Sequence, residues 1–127
     1  LFSSKVIENF CNNRTKGIII NISSISAKGN IGQSAYSVAK SGIEILTKIW
    51  AKELSSFNIR VGCIAPGFFN TKSTHNSLNK FQIEHLKKNT PLNRLGLTKE
   101  LILAIKFIIK NEFFNGKVLS IDGGLEI

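Results

Sequence analysis

Tyr36 and Lys40 lie four positions apart in the run Tyr-Ser-Val-Ala-Lys, and the two side chains together could carry out proton transfer. On a helix this spacing places them on one face, one turn apart. An ammonium group beside a phenol stabilises the phenolate, which brings proton transfer closer to neutral pH. A hydroxyl from Ser23 or Ser24 could hold a carbonyl oxygen beside the phenol. These residue types predict the protonation of an alkoxide, or the reverse, although the Tyr–Lys spacing alone is common on amphipathic helices.

The elements that must position these groups follow from the hydrophobic pattern. Residues 1–13 are predicted to form the end of a helix, because apolar residues recur there at helical spacing. Residues 18–23 form a short apolar run, as expected of a parallel strand that is covered on both faces. A loop is predicted over 24–32, followed by a long helix over 33–57. The two serines would therefore lie at the strand end, and the Tyr–Lys pair near the start of the helix.

The second half of the chain repeats the alternation of strand and helix. A strand is predicted over 59–65, and Pro66-Gly67 ends it with a turn because proline lacks a donor and glycine tolerates unusual backbone angles. The mostly polar stretch 68–97 contains a possible helix over 79–88. Loops of this length are usually lids or disordered segments, so one of these is expected here.

The last elements are a helix and a strand. Thr98 is predicted to be the N-cap of a helix that reaches residue 110. This helix is apolar nearly all round, so it is expected to be buried on most sides. A turn follows, and a third strand is predicted over 117–121.

Three blocks of sequence together resemble the short-chain dehydrogenase/reductase family, and within it the ketoacyl reductases. The first block spans 17–42 and holds the serine pair and the Tyr–Lys pair, and the later blocks span 59–71 and 115–124. The resemblance covers essentially the whole chain. It implies an α/β fold, namely the C-terminal half of a doubly wound parallel, Rossmann-like sheet with about three parallel strands and flanking helices. Residues 1–127 are thus expected to form a single partial domain.

The same resemblance points to two parts that this chain lacks. The family's N-terminal glycine-rich dinucleotide-binding turn has no counterpart, since Gly29-x-x-Gly32 lacks both the spacing and an immediate helix. The family's catalytic asparagine has no counterpart either, because the asparagines before the first strand lie too close to it. Whether residues 1–127 fold or act without the missing half stays open.

The resemblance also implies the catalytic residues. Tyr36 matches the catalytic acid/base, and Lys40 matches the lysine that acts on this tyrosine and hydrogen-bonds the nicotinamide ribose, so both residues would also bind the cofactor. The catalytic serine is Ser24 or Ser23. Counting seven residues on from Gly17 gives Ser24, whereas the family's commonest interval to the tyrosine gives Ser23. Ser24 is favoured, because the strand end determines where its hydroxyl points.

A nicotinamide cofactor, NADP or NAD, is implied in the same way, with NADP favoured. Pro66, Gly67, Phe69 and Thr71 match the segment that packs along the nicotinamide, where the Phe69 backbone would hold the carboxamide and Thr71 would make a contact on the phosphate side. The implied reaction is hydride transfer to a ketone carbon. The serine would hold the carbonyl oxygen and the tyrosine would donate the proton.

The substrate is left open between two classes. The loop 29–33 resembles that of 3-oxoacyl-[acyl-carrier-protein] reductases, which favours a 3-oxoacyl thioester and a role in fatty acid biosynthesis. Those enzymes usually present basic residues to the carrier at the positions of Thr15 and Phe57, but here only Arg14 and Lys16 flank the first position. A sugar or another small ketone is therefore the main rival substrate. A truncated, inactive remnant that acts only in assembly is the alternative from outside the enzyme class.

Composition limits the remaining classes of function. The chain is 43% hydrophobic with a net charge of +9, and its scattered positive charges favour a basic surface over nucleic-acid binding. No apolar run approaches the roughly 18 residues that span a bilayer, so no membrane partner is expected. Cys11 and Cys63 are expected to be small apolar fillers in a reducing, cytoplasmic compartment. His75 and His85 lack partners at ligand spacing, so no metal site is expected.

A homo-oligomer, a dimer or a tetramer, is implied by the resemblance, because the long helix pairs with a neighbouring subunit in that family. Gly42 lies early in this helix, where glycine costs about 1 kcal/mol of helix stability relative to alanine. Close packing at Gly42, rather than helix propensity, is therefore expected to explain this residue.

Overall fold

Three parallel strands form the centre of the structure. The computed structural model describes residues 2–126, so Leu1 and Ile127 lie outside the described residues. The strands are β1 (Gly17–Ile22), β2 (Ile59–Pro66) and β3 (Val118–Ile121), in the order β1-β2-β3. The helices are α1 (Phe2–Asn13), α2 (Ser34–Glu53), α3 (Lys72–Ser77), α4 (Lys80–Asn89) and α5 (Thr98–Lys110). The expected α/β class, with three parallel strands and flanking helices, is confirmed.

The helices cover both faces of the sheet. On one face, α1 and α2 pack over a cluster that includes Ala51, Leu54 and Val61. On the other face, α5 packs with Ala104 and Ile108 against β2 and the neighbouring strands. Strand β2 lies in the middle and is almost entirely buried, because both of its edges pair and both of its faces are covered. This arrangement explains why β2 is a nearly continuous run of apolar residues.

Two helical segments differ from the predicted ones. Helix α2 ends at Glu53, and a separate 3₁₀ turn spans Ser55–Phe57 before Asn58 takes up a left-handed conformation with φ of 58°. The tightened last turn and the left-handed residue together end the helix. The polar stretch after β2 holds α3 as well as the predicted helix α4. The sequence of α3 has no apolar period, so its pattern did not predict it.

Helix α5 differs from the prediction in its N-cap and in its exposure. Thr98 is the first helical residue rather than the N-cap, which is Leu97. The helix is not buried on most sides, since four of its apolar side chains are 45–64% exposed, namely Ile102, Leu103, Phe107 and Ile109.

Across residues 2–126, no helix combines the length and the apolar character that crossing a membrane demands.

Arg60 on β2 fastens the carboxyl end of α5 to the sheet. Its Nη1 donates to the carbonyl oxygens of Ile108, Asn111 and Phe114 at 3.1, 3.1 and 2.9 Å, and its Nη2 donates to Ile109 at 3.0 Å. The last carbonyls of a helix lack intrahelical partners and carry partial negative charge. A guanidinium is suited to this place, because it presents several donors in one plane.

Substituting Arg60→Met should therefore lower the free energy of unfolding by about 2 kcal/mol, since charged hydrogen bonds to four carbonyls are lost. Arg60→Lys is the matched variant, because it keeps the charge but not the fork of donors, and it should fall between Met and wild type. Urea denaturation followed by circular dichroism measures both. Equal stability of Arg60→Met and wild type would contradict this role.

Candidate active site

Tyr36 and Lys40 meet at the carboxyl end of β1. Tyr36 lies in the first turn of α2 with 47% of its surface exposed. The Nζ of Lys40 lies 5.6 Å from the centroid of the Tyr36 ring and donates to the carbonyl oxygen of Ile22 at 2.8 Å. The ammonium group is therefore held between the phenol ring and the last residue of β1. The structure brings this predicted pair together on one helix face.

The two serines that follow β1 have different surroundings. Ser23 is only 3% exposed, and its Oγ lies 2.8 Å from Glu44 Oε1 and 3.2 Å from the carbonyl oxygen of Lys40. Ser24 is partly exposed, and its Oγ accepts from the Ser26 N–H at 3.2 Å. A hydroxyl that accepts one bond can still donate its own hydrogen. Ser24, and not Ser23, therefore offers a hydroxyl that a substrate could reach.

The loop after Ser24 is held against the first turns of α2. Its 3₁₀ segment spans Ile25–Lys28, and the carbonyl of Ala27 accepts from the Ser41 hydroxyl. The Asn30 N–H donates to the Ser37 Oγ at 3.3 Å. An open groove of about 450 Å³ runs beside this loop, lined by Gly32, Gln33, Ser34, Ala35 and Tyr36. The exposed phenol is therefore accessible from solvent along the start of α2.

The turn after β2 lies beside the end of β3. Pro66 pairs in register with Ile121, and the Gly67 N–H donates to the Ile121 carbonyl at 2.9 Å. A Cβ added to Gly67 would lie 2.8 Å from the Cα of Asp122. Only glycine fits this close approach, which explains the residue type at the turn. The carboxyl ends of parallel strands are the usual place for ligands in open α/β sheets.

The segment beyond this turn runs along a second loop. Phe69 is buried and forms a parallel bridge with Gly96, in which the Asn70 N–H donates to Gly96 and the Gly96 N–H donates to Phe68. This bridge does not use the N–H of Phe69. Thr71 is the N-cap of α3, and its Oγ1 accepts from the Thr74 N–H at 3.3 Å.

An ion pair fixes the loop that carries Gly96. Arg94 donates through both of its Nη atoms to the carboxylate of Glu100, at 2.6 and 2.8 Å, and the Leu97 N–H donates to the same carboxylate at 2.7 Å. The hydrogen bonds from Arg94, followed by that from the Leu97 backbone, lower the pKa of Glu100 from 4.5 to about 2. The pair therefore holds the loop at the start of α5, and this loop contacts the Phe69 segment through Gly96.

Sequence reasoning missed two partners of this site. Glu44 was not singled out, although it lies one helical turn after Lys40, where a partner on the same face is expected. The pair of Arg94 and Glu100 was also missed, because its two members lie in a loop and in the next helix. No sequence motif includes Glu44, Arg94 or Glu100, so no motif predicted their contacts.

Comparisons with known proteins agree with this geometry. A family model described as enoyl-(acyl carrier protein) reductase matches residues 2–126. The chain therefore belongs to this family, which is part of the short-chain dehydrogenases/reductases. The resemblance stated from three sequence blocks is confirmed.

Curated relatives are similar over most of the chain. It is 43% identical over 112 residues to 3-oxoacyl-[acyl-carrier-protein] reductase of Mus musculus, which covers 87% of this chain and 46% of the relative. It is 44% identical over 112 residues to the reductase of the same name from Chlamydia muridarum, covering 86% of this chain and 45% of the relative. The chain spans about half the length of these relatives.

Solved structures show the same fold. A 4-hydroxyisoleucine dehydrogenase complexed with NADH superposes with a TM-score of 0.89 and 33% identity, over 97% of this chain and 52% of that one. A 3-hydroxyacyl-CoA dehydrogenase type-2 from Mycobacterium avium superposes with a TM-score of 0.89 and 32% identity, over 98% of this chain and 51% of that one.

The contribution of Glu100 to stability should depend on pH. Because its pKa is lowered in the folded state, the contribution is complete above about 4.5 and is lost as the pH falls toward 2. Glu100→Gln should therefore be less stable than wild type at neutral pH, and the difference should shrink in this acid range. Urea midpoints measured from pH 7 to pH 2 test this, with the exposed Glu53→Gln as the matched control. A difference that stays constant with pH would contradict the assignment.

Proposed function

We propose that this member of the short-chain dehydrogenase/reductase family reduces a ketone to a secondary alcohol with NADPH or NADH, using Tyr36 as the acid. The observation that carries the proposal is the position of Lys40 Nζ between the Tyr36 ring and the carbonyl of Ile22. Lys40 therefore places a fixed positive charge beside an exposed phenol, where it could interact with the charge that develops during proton transfer. Ser24 follows the same strand end with a hydroxyl that is free to donate.

The residues present fit one end of a nicotinamide cofactor. Lys40 Nζ has three hydrogens, and its bond to Ile22 leaves others for a ribose hydroxyl. The N–H of Phe69 is not used by the bridge to Gly96 and could hold a carboxamide oxygen. Pro66, Gly67 and Thr71 would line the same side. When bound, the cofactor supplies the hydride.

The chain's own residues would manage the oxygen and the proton. The Ser24 hydroxyl donates to the substrate carbonyl oxygen and so fixes its position. Tyr36 gives its proton to this oxygen as negative charge develops there, and Lys40 stabilises the phenolate that remains. Ser23 is excluded from this role in the proposal, because it is buried and engaged with Glu44.

A 3-oxoacyl thioester is the substrate class that we favour, and NADPH the cofactor. The names of the two curated reductases support this choice. Arg14 supports it as well, since it places positive charge at the turn before β1, where an acidic carrier could dock, whereas the neighbouring Lys16 is already paired with Glu112 at 2.6 Å. A sugar or another small ketone is the rival. A cytoplasmic location stays a prediction.

We also propose that residues 1–127 are part of a larger domain whose other part holds the cofactor phosphates. Within the described residues, β1 pairs with β2 alone, so its second edge could accept a further strand. The half-length coverage of the relatives supports this proposal. Chain 1–127 by itself would then bind NADPH poorly and associate through this edge, as the alternative of an inactive remnant also requires.

Tyr36→Phe should abolish most turnover in the whole protein, with any residues that precede Leu1 included. Loss of a general acid lowers kcat by about 10²- to 10⁴-fold, and the exposed position means that the fold should be unchanged. The assay follows NADPH absorbance with an acetoacetyl thioester. Ser24→Ala should act in the same direction, and Ser56→Ala, on an exposed turn, is its matched control.

Two outcomes of this assay would decide against parts of the proposal. Full turnover of Tyr36→Phe would overturn the mechanism. Turnover of a sugar or small ketone, with none of the thioester, would transfer the assignment to the rival substrate class.

The outer face of α2 supports a homo-oligomer, which we propose for the whole protein. A stripe of this helix is open to solvent, with Val38, Ile45 and Ile49 exposed by 72, 53 and 45%. Gly42 lies on the same stripe, and a Cβ added there would meet nothing within 4 Å. The expectation of close packing at Gly42 is therefore wrong within this chain. A second subunit could pack there instead.

Ile45→Glu should dissociate this oligomer, because it places a charge in the middle of an apolar interface. Light scattering coupled to size exclusion would then report a smaller molar mass than for wild type. Ile31→Glu is the matched control, since Ile31 is fully exposed on the loop before α2 and is not part of the stripe. An unchanged molar mass for Ile45→Glu would contradict the interface.

A further inference from the structure

We infer that Ser23 and Glu44 act as positioning residues, which hold the turn of α2 that bears Lys40 against the end of β1. The inference rests on the proposed function and deepens it, because it names what sets the position of Lys40 and Ser24. Neither side chain is proposed to touch the substrate.

Ser23 is held from three directions. Its N–H donates to the Ile64 carbonyl of β2 at 2.7 Å. Its Oγ lies 2.8 Å from Glu44 Oε1 and 3.2 Å from the Lys40 carbonyl. A hydroxyl has one hydrogen, so Ser23 shares it between these two acceptors, and the shorter contact to the charged Glu44 carboxylate is the stronger one. Because Ser23 is 3% exposed, water does not replace this bond.

Lys40 contacts two consecutive residues at the end of β1, Ile22 and Ser23. Its carbonyl faces the Ser23 hydroxyl, and its ammonium donates to the carbonyl of Ile22. Glu44 lies one turn further along the same helix face and accepts the shorter of the two Ser23 hydrogen bonds. A shift of this turn would therefore move the ammonium group away from Tyr36. It would also alter the orientation of Ser24, which follows Ser23 directly.

A second bond between the same two elements provides a comparison. Asn21 Nδ2 donates to Thr47 Oγ1 at 2.9 Å, which also joins β1 to α2, and Thr47 is completely buried. This bond lies one turn beyond Glu44 and further from the Tyr–Lys pair. Breaking either bond should lower stability, whereas only breaking the Ser23–Glu44 bond should also displace Lys40.

The test is steady-state kinetics of the whole protein with an acetoacetyl thioester and NADPH. Ser23→Ala and Glu44→Leu should each lower kcat by about tenfold, since small displacements of reacting groups are costly. The KM for NADPH should rise by a smaller factor than kcat falls, because Lys40 supplies only one of the contacts proposed for the cofactor. Glu44→Gln should restore kcat to within about twofold, since its amide oxygen can still accept from Ser23.

Thr47→Val is the matched control. It should lower the thermal midpoint but leave kcat within about twofold of wild type. The inference is overturned if Ser23→Ala and Glu44→Leu keep wild-type kcat, or if Thr47→Val reduces kcat as much as they do.

A crystal structure of the Ser23→Ala variant separates this inference from the proposed function. We expect the contact between Lys40 Nζ and the Ile22 carbonyl to be lost or lengthened there. An unchanged contact overturns the positioning role even if the enzyme is active. If the wild-type protein reduces neither a thioester nor a small ketone, the proposed function is overturned. The crystal structure of Ser23→Ala still decides whether Ser23 positions Lys40.

Discussion

The hydrogen bond from Lys40 Nζ to the Ile22 carbonyl joins the one helix and the one strand on which the candidate chemistry depends. A lysine side chain has considerable rotamer freedom, and this bond removes part of it. It fixes a positive charge at the point where the apolar strand ends and the polar loop begins. The phenol of Tyr36 lies on the helix that this bond joins to β1, and the serine pair follows directly after Ile22.

Partly or fully buried polar groups lie near this bond and are themselves paired. Asn21 with Thr47 and Ser23 with Glu44 connect β1 to α2 in an otherwise apolar contact. Among the described residues, no buried side-chain nitrogen or oxygen lacks a hydrogen-bond partner. An unpaired polar group in such a place would cost about 1–3 kcal/mol, so these pairs favour one register of helix against strand.

The opposite face of the sheet, which α5 covers, is held by two arginines. Arg60 joins β2 to the last turn of α5, and the pair of Arg94 and Glu100 secures the loop at its first turn. Strand β2 is thus fixed relative to α5 from both ends of that helix. The Phe68–Asn70 segment at the carboxyl end of β2 depends on the second of these contacts through Gly96.

The amino-acid sequence by itself determined the local features of this protein. The apolar runs of β1 and β2 and the four-residue step from Tyr36 to Lys40 could be predicted, because they depend on neighbours within one element. Helix α3 could not be predicted, since its stability comes from the Thr71 cap and its surroundings rather than from an apolar period.

Only the tertiary structure shows that the two serines have different surroundings. Ser23 and Ser24 are identical in type and adjacent in sequence, but alternate residues at a strand end point in opposite directions. One therefore faces Glu44 in the interior, and the other faces the loop. The exposure of α2 and α5 was likewise decided by which surfaces meet, because an apolar pattern shows that a face can be buried but not what covers it.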